Sequence, residues 1–124
     1  MTEEDAFGFA RAHVAAWNSH DLDAIANLYS EAVELTSPVA ARLRGDPVVR
    51  GRAAIRAYAA LGIEKDPDLH FELVDVFLCV SSVTLLFWGA GRRLVAEVLF
   101  LNEQHEIERV FAHYRVAASS AAGV

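Results

Sequence analysis

From Leu69 to Val116 the chain alternates apolar and polar residues with a period of two, and this run leaves few folds open. A two-residue period sends successive side chains to opposite faces, so each segment reads as a half-buried strand. Four strands are expected, at about Leu69 to Val80, Val83 to Ala90, Arg92 to Leu101 and Glu106 to Val116. Their links, Ser81-Ser82, Gly89-Ala90-Gly91 and Asn102 to His105, are short enough to join only antiparallel neighbours. A meander follows. Its third strand carries a lone acid, Glu97, among Val95, Ala96, Val98, Leu99, Phe100 and Leu101. Such a carboxyl is either turned to solvent or held in a dry place where ionisation is penalised, and the second case marks a candidate site.

The N-terminal half has a helical period instead. Thr2 and Asp5 form a weak capping box, with Glu3 and Glu4 where the helix dipole favours negative charge. A helix is expected from Glu3 to Trp17. Phe9, His13 and Trp17 recur four apart along the edge of a stripe that Phe7, Ala10 and Val14 complete, which puts His13 on the buried side. Asn18, Ser19, His20 and Asp21 end this helix and cap a second, Leu22 to Tyr29, making an αα-hairpin. Ala32 to Ser37 reads as a short strand stopped by Pro38, and Val39 to Arg50 lacks a period. Arg42, Arg44, Arg50, Arg52 and Arg56 gather here; they could rim an anion site, but blocks of like charge more often sit on a solvated loop. A third helix, Arg52 to Leu61, presents Ile55, Tyr58 and Leu61 and stops at Gly62.

Three helices followed by a long antiparallel sheet give an α+β architecture in which the helices cover one sheet face and leave a concave pocket between. If Val110, Ala112 and Tyr114 point into it, then Arg109, Phe111 and His113 share the outer face, a mixed surface suited to a homodimer contact. At 124 residues and 54% hydrophobic content, one domain is expected over residues 1–116, with a fraying tail from Ala117 to Val124. The formal charge of −6 disfavours nucleic acid and anionic membrane as partners, leaving a small apolar molecule or another protein. The single cysteine, Cys79, cannot form an intrachain disulfide, so a reducing, cytoplasmic setting and a core-packing role are the simpler readings. The acidic N-terminus has no signal-peptide pattern, and the uncharged run from Val76 to Gly91 falls short of the roughly 20 residues a membrane span needs.

There is no P-loop, no GxGxxG, no nucleophile elbow and no cysteine pair for zinc. The five histidines fall on different elements without ligand spacing, so neither a metal nor another cofactor is expected. Three segments do fall into a familiar order: WNSHDLDAIANLYSEAVELTSP, then RGRAAIRAYAALG, then FWGAGRRLVAEVLFLNEQHEIERVFAHYR. Together they resemble the ketosteroid isomerase-like and SnoaL-like polyketide cyclase branch of the nuclear transport factor 2 superfamily. The resemblance implies a cone-shaped, cystatin-like α+β barrel with an apolar cavity, often dimeric, but does not fix the activity, since relatives include isomerases, cyclases, epoxide hydrolases, dehydratases and noncatalytic proteins. In the isomerase pattern the aspartate general base falls on Ser37, the oxyanion-hole tyrosine on His13 and the protonated aspartate on Glu97. Tyr29 and Tyr58 match aromatic positions near the pocket and Tyr114 matches a wall position, whereas a supporting tyrosine is replaced by Ala59 and a cyclase aspartate by Arg115.

A serine hydroxyl cannot take up a proton at neutral pH, so isomerisation by the usual base is not expected. His13 and Glu97 could instead form an acid/base dyad acting on a bound carbonyl or enol, with Tyr114 as a donor to a ligand oxygen. Trp17, Tyr29, Ser37, Tyr58, Leu99 and Ala112 are the expected lining. Against this stand a buried His13–Glu97 pair that serves structure alone, and a tyrosine and tryptophans that are simply wall. Three functions follow: proton transfer on an apolar carbonyl compound, a noncatalytic ligand-binding or dimerisation module, or epoxide or ester hydrolysis by a water that Glu97 activates.

Overall fold

Each stretch of sequence with a clear period becomes an element in the computed structural model, which describes residues 1–117. Helix α1 spans Glu3–Ser19 and α2 spans Leu22–Ala26; strand β1 is Tyr29–Thr36, α3 is Pro38–Arg44, β2 is Val48–Arg50 and α4 is Arg52–Lys65. The meander follows as β3 (Glu72–Leu78), β4 (Ser82–Trp88), β5 (Leu94–Leu101) and β6 (Ile107–Tyr114). The six strands form one sheet in the order β2-β1-β6-β5-β4-β3, antiparallel throughout except for the parallel pair β1 and β6.

Local chemistry sets most of the boundaries. The Thr2 hydroxyl accepts from the Asp5 N–H and the Asp5 carboxylate accepts from the Thr2 N–H, a reciprocal cap that lowers the Asp5 pKa chiefly through the Thr2 backbone bond. Asp21 caps α2 by accepting from the N–H groups of Asp23 and Ala24. The Asn18 side chain exchanges two hydrogen bonds with the Phe71 backbone, at 2.9 and 2.7 Å, and so ties the end of α1 to the approach to β3. Trp17 then packs on Phe71, and Phe71 on Phe87, with ring centroids 5.7 and 4.8 Å apart.

The sheet register decides which side chains meet. Paired residues share a face, so three inward rows run across the sheet: Val83, Leu99 and Val110; Leu85, Glu97 and Ala112; Phe87, Val95 and Tyr114. Val83, Leu85, Leu99 and Val110 are fully or almost fully buried, and the helices close over them.

Several expectations need correction. Among the described residues there are four α-helices, not three, because Val39 to Arg50 is not a loop: Ser37 caps α3, Pro38 occupies its first turn and Gly45 ends it at φ 79°. Helix α2 stops at Ala26, and Tyr29 opens a strand where its ring is buried. Helix α4 runs through Gly62 to Lys65. The first meander strand starts only at Glu72. Cys79 is exposed rather than packed in the core, and Phe7 is 43% exposed rather than part of the buried stripe. The expected fraying tail lies outside the described residues from position 118 onward. Among the described residues no helix is long and apolar enough to cross a membrane.

Candidate functional site

A cavity of about 150 Å³ opens between the concave sheet face and helices α1, α3 and α4. Its apolar wall comes from Trp17, Leu35, Phe71, Phe87, Val95 and Ala112. Its polar groups are few: Ser37, Tyr58, Glu97 and Tyr114 within, and Arg42, Lys65 and Asp66 on α3 and at the end of α4.

Glu97 reaches the cavity because 95, 97 and 99 are the inward positions of β5, and it keeps 13% exposure where Val95 and Leu99 are sealed. Behind it lies His13, only 1% exposed, with Nε2 3.3 Å from Glu97 Oε1. The His13 ring sits between Phe9, stacked at 6.3 Å, and Tyr29, edge-on at 6.2 Å. Its Nδ1 is buried with no hydrogen-bond partner. The spacing along α1 therefore points His13 at the sheet, while Glu97 is the member of the pair that faces the cavity.

Ser37 is 2% exposed and its hydroxyl accepts from the Val39 N–H at 3.1 Å, so it starts α3 as well as lining the cavity. The two phenols near it are held neutral. Burial pushes the Tyr58 pKa up to about 12, reinforced by the Tyr114 phenol and the Glu97 charge and opposed by the Ser37 hydroxyl and Arg42. Burial likewise raises the Tyr114 pKa, with Glu97 adding to the rise and Ser37, Arg93 and Arg42 opposing it. At neutral pH both are therefore O–H donors. Arg93 lies over the Tyr114 ring, 4.5 Å from its centroid.

Of the residues singled out in the sequence, Trp17, Ser37, Tyr58, Glu97, Ala112 and Tyr114 line this one cavity. His13, Tyr29 and Leu99 do not reach its surface. Leu99 belongs to the sealed core, and Tyr29 is a buried support whose hydroxyl accepts from Trp17 Nε1 at 3.1 Å. Burial followed by the Glu97 charge raises the Tyr29 pKa well above the usual phenol value. The sequence reading missed Lys65 and Gly62 as lining, and it raised Arg42 only as one of five arginines that more often sit on a solvated loop; all three line the cavity. For Arg42 the signal was present in Ser37-Pro38 and Gly45, a start and stop that put it in the last turn of a short helix. Among the described residues no three His, Cys, Asp or Glu side chains are grouped to hold a metal ion.

The family model for the SnoaL-like domain matches residues 10–122. A SnoaL-like protein of unknown function from Burkholderia thailandensis is 34% identical, the match covering 93% of this chain and 98% of that one with a TM-score of 0.88. The epoxide hydrolase/cyclase-like enzyme SalBIII, which acts in pyran ring formation in the polyether salinomycin, is 20% identical over 92% of this chain and 93% of its own, with a TM-score of 0.70. A SnoaL-like family protein from Agrobacterium tumefaciens, described as a proposed isomerase, is 18% identical over 91% of this chain and 99% of its own, with a TM-score of 0.75. The last two likenesses speak for the fold alone. No curated protein matches the chain.

Proposed function

The chain belongs to the SnoaL-like domain family, and from that premise we propose that it transfers a proton beside the carbonyl of a small apolar compound, with Glu97 as the group that carries the proton. The observation that carries the reading is the Glu97 carboxyl group, exposed to a mainly apolar cavity, backed by His13 and sharing that cavity with two neutral phenols. An unpaired buried N–H is rarer and costlier than an unpaired lone pair, so the partnerless Nδ1 argues for a His13 proton on Nε2, directed at Glu97. In that arrangement His13 is a positioning residue that keeps one carboxylate oxygen in place. The carboxylate takes a proton from the carbon next to the carbonyl, the C–H electrons become the enolate double bond, and the carbonyl π pair moves onto oxygen. Tyr58 and Tyr114 donate to that oxygen as its charge develops. Return of the proton from Glu97 to a different carbon of a conjugated enolate completes an isomerisation; alternatively the enolate carbon attacks a second carbonyl, and the alkoxide so formed takes the proton from Glu97 to complete a ring closure.

The test is exchange of solvent deuterium into the α-position of propiophenone, followed by NMR. Exchange above the buffer rate that falls roughly a hundredfold to ten-thousandfold in Glu97→Gln is the expected result. Exchange at the buffer rate, or a Glu97→Gln variant as fast as the parent, defeats the proposal and returns the chain to a ligand-binding role. Hydrolysis of an epoxide by a water on Glu97 remains the second reading, supported by the fold it shares with SalBIII; styrene oxide turnover without ketone exchange would favour it.

A further inference from the structure

A cavity volume of about 150 Å³ holds little more than a single aromatic ring. Yet the lining continues along α4 from Tyr58 through Gly62 to Lys65 and Asp66, and across to Arg42 on α3. Tyr58, Gly62 and Lys65 follow each other at helical spacing on one face, and a seven-residue step along a helix is roughly 10 Å. Gly62 leaves a gap in this wall, since a side chain added there would meet nothing within 4 Å.

The charges at the outer end are unbalanced. Arg50, Arg52 and Arg56 pair with carboxylates on the outside of the molecule, namely Glu34, Asp46, Glu31, Glu106 and Asp23. Among the described residues Arg42 and Lys65 have no carboxylate within 4.0 Å. Asp66 is the one acid at that end of the lining. Among the described residues Arg11, Arg44, Arg92, Arg109 and Arg115 also lack such a partner, so what marks Arg42 and Lys65 is their place in the lining of an apolar cavity in a chain of net charge −6.

Resting on the proton-transfer reading above, we propose that Arg42 and Lys65 form an anion anchor at the cavity mouth, and that the substrate is an apolar keto acid whose carboxylate lies about 10 Å from the reacting carbonyl. The aryl or alkyl ketone end fills the enclosed part, the chain passes Gly62, and the carboxylate meets the two cations. Both cations are solvent-exposed, so each contributes modestly and the pair together is worth on the order of tenfold in affinity at low salt.

Calorimetric titration of the full chain with 8-oxo-8-phenyloctanoate and with its methyl ester tests the anchor. The acid is expected to bind on the order of tenfold more tightly than the ester, with the ratio falling towards one in an Arg42→Gln/Lys65→Gln variant and at high salt. Equal affinities in the parent protein, or a ratio that survives loss of both cations, overturn the proposal. Circular dichroism of the variant checks that these surface changes leave the fold intact. Propiophenone exchange separates this inference from the reading beneath it. Exchange without an acid preference removes the anchor alone; an acid preference without exchange keeps the anchor and removes the proton transfer; failure of both removes the two together.

Discussion

At position 37 a single hydroxyl does two jobs, capping α3 through the Val39 N–H and lining the cavity beside Tyr58 and Tyr114. Ser37→Ala should therefore cost roughly 1 kcal/mol in thermal unfolding through the lost cap. Because no carboxylate stands there, ketosteroid double-bond isomerisation should be absent or very slow in the parent protein, as a steroid substrate and absorbance of the conjugated product would check. Ser37→Asp keeps a capping side chain while adding a base. In a Glu97→Gln background it should recover part of the propiophenone exchange; no recovery would mean that position 37 does not face the reacting carbon. His13 and Glu97 show how far a residue-level reading extends. Helical spacing puts His13 inward and strand alternation puts Glu97 inward, so both directions were legible. That they meet at 3.3 Å, with only Glu97 facing the cavity, depends on how α1 lies across β5 and could not be read from either period alone.

Among the elements, the longest were the most legible. Helix α1 and the four meander strands carry enough repeats for their period to dominate, whereas α3 and β2 are 7 and 3 residues long and offer little more than one turn or one alternation. The spacing of Tyr29 from Ile25 suits a helix, yet its ring is buried against His13 and Trp17 from the first position of β1. Tertiary burial outweighed a local preference of a few tenths of a kcal/mol. Glycine at 62 has the look of a helix stop, but α4 continues past it to Lys65. A glycine inside a helix costs about 1 kcal/mol relative to alanine, and nothing crowds this site. Gly62→Ala should stabilise the protein by about that amount in chemical denaturation, while a bulkier Gly62→Leu should weaken binding of 8-oxo-8-phenyloctanoate by narrowing the route past α4. Unchanged affinity in Gly62→Leu would show that the ligand takes another path.

For the molecule as a whole, the sheet has two unlike faces. Helices cover the concave one. On the other, Phe77, Thr84, Val98 and Phe111 run in one row, with Phe77 57% exposed and Phe100 36% exposed beside it. Arg109 lies over the Phe111 ring at 5.2 Å. We propose that this face pairs two copies of the chain, in which case Phe111→Glu should shift light scattering towards the monomer by setting like charges at a self-complementary contact. A parent protein that is already monomeric at micromolar concentration would count against the pairing. The buried phenols predict the alkaline limit of the fold. The Tyr29, Tyr58 and Tyr114 pKa values all lie above the ordinary 10.0, Tyr58 at about 12, so the unfolded chain releases these protons first. Stability should accordingly be insensitive to them below pH 10 and fall between about pH 10 and pH 12, measurable as a shift of the urea midpoint. What the sequence by itself determined was the class of the fold, its meander and the face each strand residue takes, because these follow from periods repeated over many residues. Only the tertiary structure decided that the cavity wall excludes His13, Tyr29 and Leu99 and admits Arg42, Gly62 and Lys65. Those memberships depend on where separate elements cross, and a period within one element carries no information about its distance from the next.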